Sequence, residues 1–191
     1  MPLVLGLNSI HPDAAAVLAD ERGIIAAIAE ERINRLKHCA IFPRNAIQEV
    51  LKIAGAKIED VTDIAIARDG AANRNAKLMF IAKNPRVGFS LARTRMKLHK
   101  EAGESLAQQM GYREDQLRAT MHHVEHHVAH IASSFFCSPF ERACGVSVDG
   151  SGDFCTIMIA QCEGNQIKVL KRCHPPHSLG FFYTAMCGFL G

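Results

Sequence analysis

The chain has 191 residues, 48% of them hydrophobic and 21% charged, the proportions of an ordinary globular protein with length for one or two small domains. Its net charge of +3 is too small to mark a nucleic-acid binder. The start, MPLVLGLNSIHPD, lacks the basic region and long apolar run of a signal peptide, and no segment reaches the roughly 18 apolar residues that a membrane helix needs.

Three short strands come first: Leu3–Leu7, then Ala14–Ala19 after the turn His11-Pro12-Asp13, then Ile24–Ala29 after the turn Asp20–Gly23. Tight turns between them predict an antiparallel meander. A helix opens at Phe42-Pro43-Arg44, with Ile47, Val50, Leu51 and Ala54 on one face and Gly55 as its C-cap. Asp63–Ala67 is the next strand. Residues 68–118 carry a basic bias (Arg68, Arg74, Lys77, Lys83, Arg86, Arg93, Arg95, Lys97, Lys100) and read as a solvated helical excursion, or as a rim attracting an anion.

After it come a strand at Ala119–Val124, a helix at His126–Phe136, strands at Ala143–Val148, Phe154–Gln161 and Gln166–Arg172, and a helix at Leu179–Leu190. This order predicts a mixed α/β architecture in which the later strands join the meander in one mixed sheet. The last residues, AMCGFLG, are apolar without a polar close and read as a truncation. The seven cysteines include no C-x-x-C pair and are odd in number. They read as free thiols of a cytoplasmic protein rather than disulfides or a structural zinc site.

Three constellations carry chemistry. Five of the ten histidines fall within residues 122–130, as HHVEHHVAH. A helix beginning near Glu125 puts His126 and His130 at i and i+4, two imidazoles facing one ion, and Asp149 at the end of a strand is a candidate third ligand. No H-E-x-x-H is present, which disfavours a zinc protease. The second is Asp149-Gly150-Ser151-Gly152-Asp153, where glycines let backbone amides approach a phosphate. The third pairs the first turn, including Ser9 and His11, with the charged run EERINRLKH, from which Arg35 and Lys37 could meet one anion.

GLNSIHPDAAAVL, AAIAEERINRLKH followed by FPRNAI, VEHHVAHIASSFFCSPF, VSVDGSGD and PHSLGFFYTAMCGFLG occur in that order and span nearly the whole chain. Together they resemble the carbamoyltransferase family typified by NodU and the tobramycin O-carbamoyltransferase. The resemblance implies an actin/Hsp70/sugar-kinase-like (ribonuclease H-like) α/β subdomain with a mixed sheet. Residues 1–191 would be the N-terminal portion of a Kae-one-like domain, without its C-terminal half and the YrdC-like domain.

The resemblance also implies a site. His126, His130 and Asp149 would hold a divalent metal, iron-type with manganese or zinc as alternatives, that grips nucleotide phosphate. His11 and Lys37 would act at the carbamoyl group. Ser9, Arg35, Asp149, Gly150, Ser151 and Gly152 would contact ATP or carbamoyl-adenylate. The partners are carbamoyl phosphate, ATP and a hydroxyl-bearing small molecule, with no membrane and no nucleic acid, and with room for a homo-oligomer. The general base stays open, with His123 and His127 as candidates. The first turn (Ser9–Asp13) and Asp149–Asp153 are expected at one cleft, and this chain alone is expected to be inactive. Competing readings are a tRNA threonylcarbamoyladenosine-type or hydrogenase-maturation relative, and a non-catalytic metal- or nucleotide-binding module.

Overall fold

The computed structural model describes residues 1–9, 13–38, 40–86 and 106–191. The chain divides into two compact units. The first takes its described residues from Met1–Ala67 and Leu91–His123, the second from Arg68–Ser90 and Val124–Gly191.

In the first unit β1 (Val4–Asn8), β2 (Ala15–Asp20) and β3 (Gly23–Ala29) form the expected antiparallel meander. β4 (Asp63–Ile66) pairs parallel with β1, and β5 (Thr120–His123) parallel with β4, giving the order β3-β2-β1-β4-β5. Side chains alternate along these strands, so Leu5 and Leu7 of β1, Ala16 and Leu18 of β2 and Ile64 of β4 bury the same face. A four-residue turn of helix, α1 (Glu31–Asn34), follows β3. Helix α2 (Arg44–Ala54) lays Ala46, Ile47, Val50 and Leu51 into that core. It ends as expected at Gly55, whose φ of 63° is the left-handed conformation that closes a helix. Met110 at the end of α4 (Leu106–Met110) completes the core.

The second unit contains α3 (Arg74–Lys83), α5 (His126–Phe135), β6 (Arg142–Gly152), β7 (Cys155–Glu163), β8 (Gln166–Cys173) and α6 (Leu179–Leu190). Here the expectation of one sheet is corrected. β6, β7 and β8 make their own antiparallel three-stranded sheet. The reason is local: two-residue reversals let each strand pair with its sequence neighbour, which closes the shortest possible loops. Ile131 and Phe135 of α5 pack on Cys155, Met158, Ala160 and Cys162 of β7. β6 comes close beneath the helix at Gly145, where a Cβ would stand 2.6 Å from the Ile131 side chain.

The fold class is as expected, mixed α/β with a mixed sheet in the first unit. Within the basic stretch the described part holds α3, α4 and a 3-10 turn at Glu114–Gln116. Arg93, Arg95, Lys97 and Lys100 lie outside the described residues, as do Cys39 and His11. The six described cysteines are free thiols. Among the described residues, no helix is long and apolar enough to cross a membrane.

Candidate metal centre

Helix α5 has no side-chain cap of its own. Its first amide, His126 N, instead donates to the Asp153 carboxylate at 2.9 Å, so the reversal between β6 and β7 caps the helix. With that end fixed, His126 and His130 stand one turn apart, about 40° round the helix. His126 Nε2 lies 2.8 Å from Asp149 Oδ2 and 3.1 Å from His130 Nε2. One ligand atom from each of His126, His130 and Asp149 falls within 4.8 Å of the others, as the helical spacing predicts.

The donor set fits a divalent cation. His126 Nε2 has two close neighbours but can carry a single proton, so a proton there serves only one of them fully, whereas a cation between the groups satisfies all three lone pairs. Two imidazoles and a carboxylate suit iron, manganese or zinc. Burial pushes the Asp149 carboxyl up. Hydrogen bonds from His126 and from the Gly150 amide, with the charges of His126 and His130, outweigh it and hold the group below its ordinary range. Asp149 is therefore an anion at neutral pH, ready to be a ligand.

β6 bends to present Asp149. Residues 149–151 stand opposite only Thr156 between the pairs Val148–Ile157 and Gly152–Cys155, an irregularity of the kind that re-aims side chains near functional sites. The polar turn expected over Asp149–Asp153 is in fact strand through Gly152, and the chain reverses at Asp153-Phe154, with φ of 48° and 65°. Phe154 is held between Phe80 of α3 and His174, with ring centroids at 5.4 Å and 6.1 Å.

The glycines do other work than a phosphate turn requires. The Gly150 amide donates to Asp149 Oδ1 at 2.6 Å. A Cβ on Gly152 would stand 1.9 Å from the His126 ring, so this residue leaves room for the imidazole. Ser151 is exposed on the same bend.

Several neighbours carry no local spacing signal. Arg172 grips Glu125 with two hydrogen bonds of 3.1 Å and 2.7 Å. Asn73 donates to Glu125 at 2.8 Å and to the Asp153 carbonyl at 3.0 Å, and Asp153 also accepts from the Asp69 amide at 2.8 Å. Burial raises the Glu125 carboxyl, and Arg172 and Asn73 more than compensate, leaving it below its usual range. His127, a candidate base, is fully buried. Burial lowers its pKa, which the Cys155 carbonyl only partly opposes, so the ring is neutral and sealed from any substrate hydroxyl.

In the first unit the charged run folds back on the first turn. His38 Nδ1 lies 2.9 Å from Asp13 Oδ1, and Asn8 Nδ2 donates to the Asp13 carbonyl at 3.0 Å. Glu30 is buried and accepts from Asn45 Nδ2 at 2.6 Å and the Ala46 amide at 2.8 Å. Arg35 and Lys37 are exposed on this loop, Ser9 is partly buried at the end of β1, and His123 is exposed on β5. Ser9–Asp13 and Asp149–Asp153 belong to different units.

The carbamoyltransferase N-terminus family matches residues 3–191 of this chain. The chain belongs to that family. It is 32% identical over 185 residues to the nodulation protein NolNO of Sinorhizobium fredii, covering 96% of this chain and 26% of that protein. It is also 32% identical over 199 residues to the uncharacterized protein sll1178 of Synechocystis sp., covering 100% of this chain and 32% of the relative. The chain thus spans between a quarter and a third of these relatives' lengths. Among solved structures, YeaZ from Pseudomonas aeruginosa is similar at a TM-score of 0.45 and 14% identity, over 92% of this chain and 68% of that one.

Proposed function

We propose that the protein carrying this chain is an O-carbamoyltransferase that moves a carbamoyl group from carbamoyl-adenylate, made from carbamoyl phosphate and ATP, to a hydroxyl of a sugar or secondary metabolite. The observation that carries this reading is the convergence of His126, His130 and Asp149 in a chain of the carbamoyltransferase family. In the transfer step a bond forms between the acceptor oxygen and the carbamoyl carbon. The bond from that carbon to the adenylate oxygen breaks, AMP leaves, and the acceptor proton passes to a base.

His126, His130 and Asp149 would hold a divalent metal, whose chemistry when bound is to neutralise charge on the phosphate of the departing adenylate. Lys37 and His11 would polarise the carbamoyl carbonyl or stabilise the oxyanion that develops on it. Ser9, Arg35, Ser151 and the backbone of Gly150 and Gly152 would contact the nucleotide phosphate. Glu125, clamped by Arg172 and Asn73, and Asp153, which caps α5, support the arrangement without touching reactants.

The test is an assay of the full-length protein with carbamoyl phosphate, ATP, Fe²⁺ or Mn²⁺ and a panel of sugar and aminoglycoside hydroxyl acceptors, following carbamoylated product and AMP. Product that requires all components, and that disappears on chelation, supports the reading. Full-length, metal-loaded protein that makes neither AMP nor product with any acceptor removes it in favour of a metal- or nucleotide-binding module.

A further inference from the structure

His127 faces the sheet from α5, about 100° round the helix from His126, and is fully buried. Its Nε2 lies 2.9 Å from the Cys155 carbonyl oxygen in β7, and its Nδ1 lies 2.8 Å from the Ser147 hydroxyl in β6. A carbonyl oxygen only accepts, so Nε2–H donates to Cys155 and Nδ1 accepts from Ser147. The ring is thereby fixed in one tautomer and one orientation, tied to two different strands.

Ser147 stands two residues before Asp149 on β6, and both meet α5. Helix and strand are joined by two successive polar rungs, His127 to Ser147 and His126 to Asp149. Farther along α5 its packing on the sheet runs through the apolar Val128, Ile131 and Phe135. Apolar contact is non-directional and tolerates small rolls of a helix. A roll of about 10° moves an atom about 6 Å from the helix axis by about 1 Å. Metal–ligand distances tolerate only about 0.2 Å. Directional bonds to both β6 and β7 remove that freedom, and Gly152 leaves the space that the His126 ring occupies.

We propose that His127 is a positioning residue of the metal centre, holding the roll and register of α5 so that His126 and His130 meet Asp149. The proposal rests on the metal reading above. It assigns to a buried histidine next to the ligands a role that apolar packing alone could not fill.

Co²⁺ is the probe, because its visible absorption bands report coordination geometry and a titration gives affinity. The full-length protein is compared with the double variant His127→Leu/Ser147→Ala, which removes ring and hydroxyl together and so leaves Ser147 with no stranded hydroxyl. The expected result is a retained cooperative melt and circular dichroism, Co²⁺ affinity about 10- to 100-fold weaker, and shifted, weakened bands. A folded double variant with affinity within twofold of wild type and superimposable bands overturns the proposal and shows His127 to be core packing only.

If the double variant does not fold, Ser147→Ala alone decides, since it keeps the ring and its bond to Cys155. About threefold or greater weakening with altered bands supports the proposal, and an unchanged titration and spectrum in the folded single variant overturns it. Wild-type protein that takes up no Co²⁺ overturns the metal reading itself and this proposal with it, an outcome distinct from a variant that behaves like wild type.

Discussion

Helices α2 and α5 solve the same problem differently. Neither has a side-chain cap of its own, and each has its N-terminal end held by a carboxylate from outside the helix. Glu30 receives the Ala46 amide, and Asp153 receives the His126 amide. Beyond that point they diverge. α2 meets its sheet with Ala46, Ile47, Val50 and Leu51, all apolar. α5 puts a buried histidine among its apolar contacts and two more histidines beside them. The lesson is that a borrowed carboxylate cap serves anchoring alone in the first unit, whereas in the second it is the first of several directional constraints on a helix that displays ligands. If so, lesions around α2 should cost stability alone, and lesions around α5 should cost ligand geometry as well.

The largest expected effect is at the ligands. His126→Ala or His130→Ala in full-length protein should weaken metal binding by more than about 100-fold, beyond what supporting residues usually cost, and abolish carbamoyl transfer. Metal content after dialysis checks this, and a normal metal load would break the comparison at its root.

Two glycines on β6 give a sharper contrast. Gly145→Ala forces a methyl against Ile131, and Gly152→Ala forces one into the His126 ring. Each should cost about 1–3 kcal/mol by overpacking, read from denaturant unfolding. Only the second should also lower metal affinity, and equal losses of affinity in both would erase the distinction between anchoring and aiming.

The caps themselves should follow. Glu30→Gln turns an amide NH₂ toward donors that a carboxylate accepted, in a buried site. It should cost about 1–3 kcal/mol and leave metal affinity unchanged. Asp153→Asn keeps an acceptor oxygen and a residue that tolerates positive φ. It should cost only about 0.3–1 kcal/mol from the lost charge at the helix terminus, with a measurable loss of metal affinity.

The smallest effect lies far from the ligands, at the surface pair of Asp63 and His122, separated by 2.6 Å. The hydrogen bond from His122, then that from Thr62, holds the Asp63 carboxyl below its ordinary value. A depressed folded-state pKa gives stability that is present above the unfolded value, about pH 4, and lost as pH falls through the folded one. Asp63→Asn should therefore lower stability slightly at neutral pH and change nothing at the acid end, so the acid limb of the stability curve flattens. Melting temperatures across pH 2–7 check it.

Much of this was legible in the sequence. The meander follows from alternating apolar residues and two tight turns, and the end of α2 from Gly55. The histidine pair and Asp149 follow from one helical turn and one strand end. What was not legible depended on long-range contact. Nothing local links Glu125 to Arg172, 47 positions away, or to Asn73, 52 positions away. The glycines of Asp149–Asp153 misdirected the turn, because glycine serves close approach as well as reversal, and here Gly152 makes space for a ring while the chain turns one residue later. The separate second sheet was missed because strand pattern shows that a strand exists, not which neighbour it chooses.

The reversal at Asp153-Phe154 has a consequence for engineering. A two-residue turn with positive φ at both positions is met at least conformational cost by Asn-Gly, whereas a bulky residue such as Phe154 forgoes roughly 1–2 kcal/mol there. Replacing the pair with Asn-Gly would relieve that cost while discarding the Asp153 charge at α5 and the aromatic wedge between Phe80 and His174. Thermostability and ligand alignment thus pull this turn in opposite directions, and a selection for heat resistance alone would be drawn to the very substitution that blunts the site.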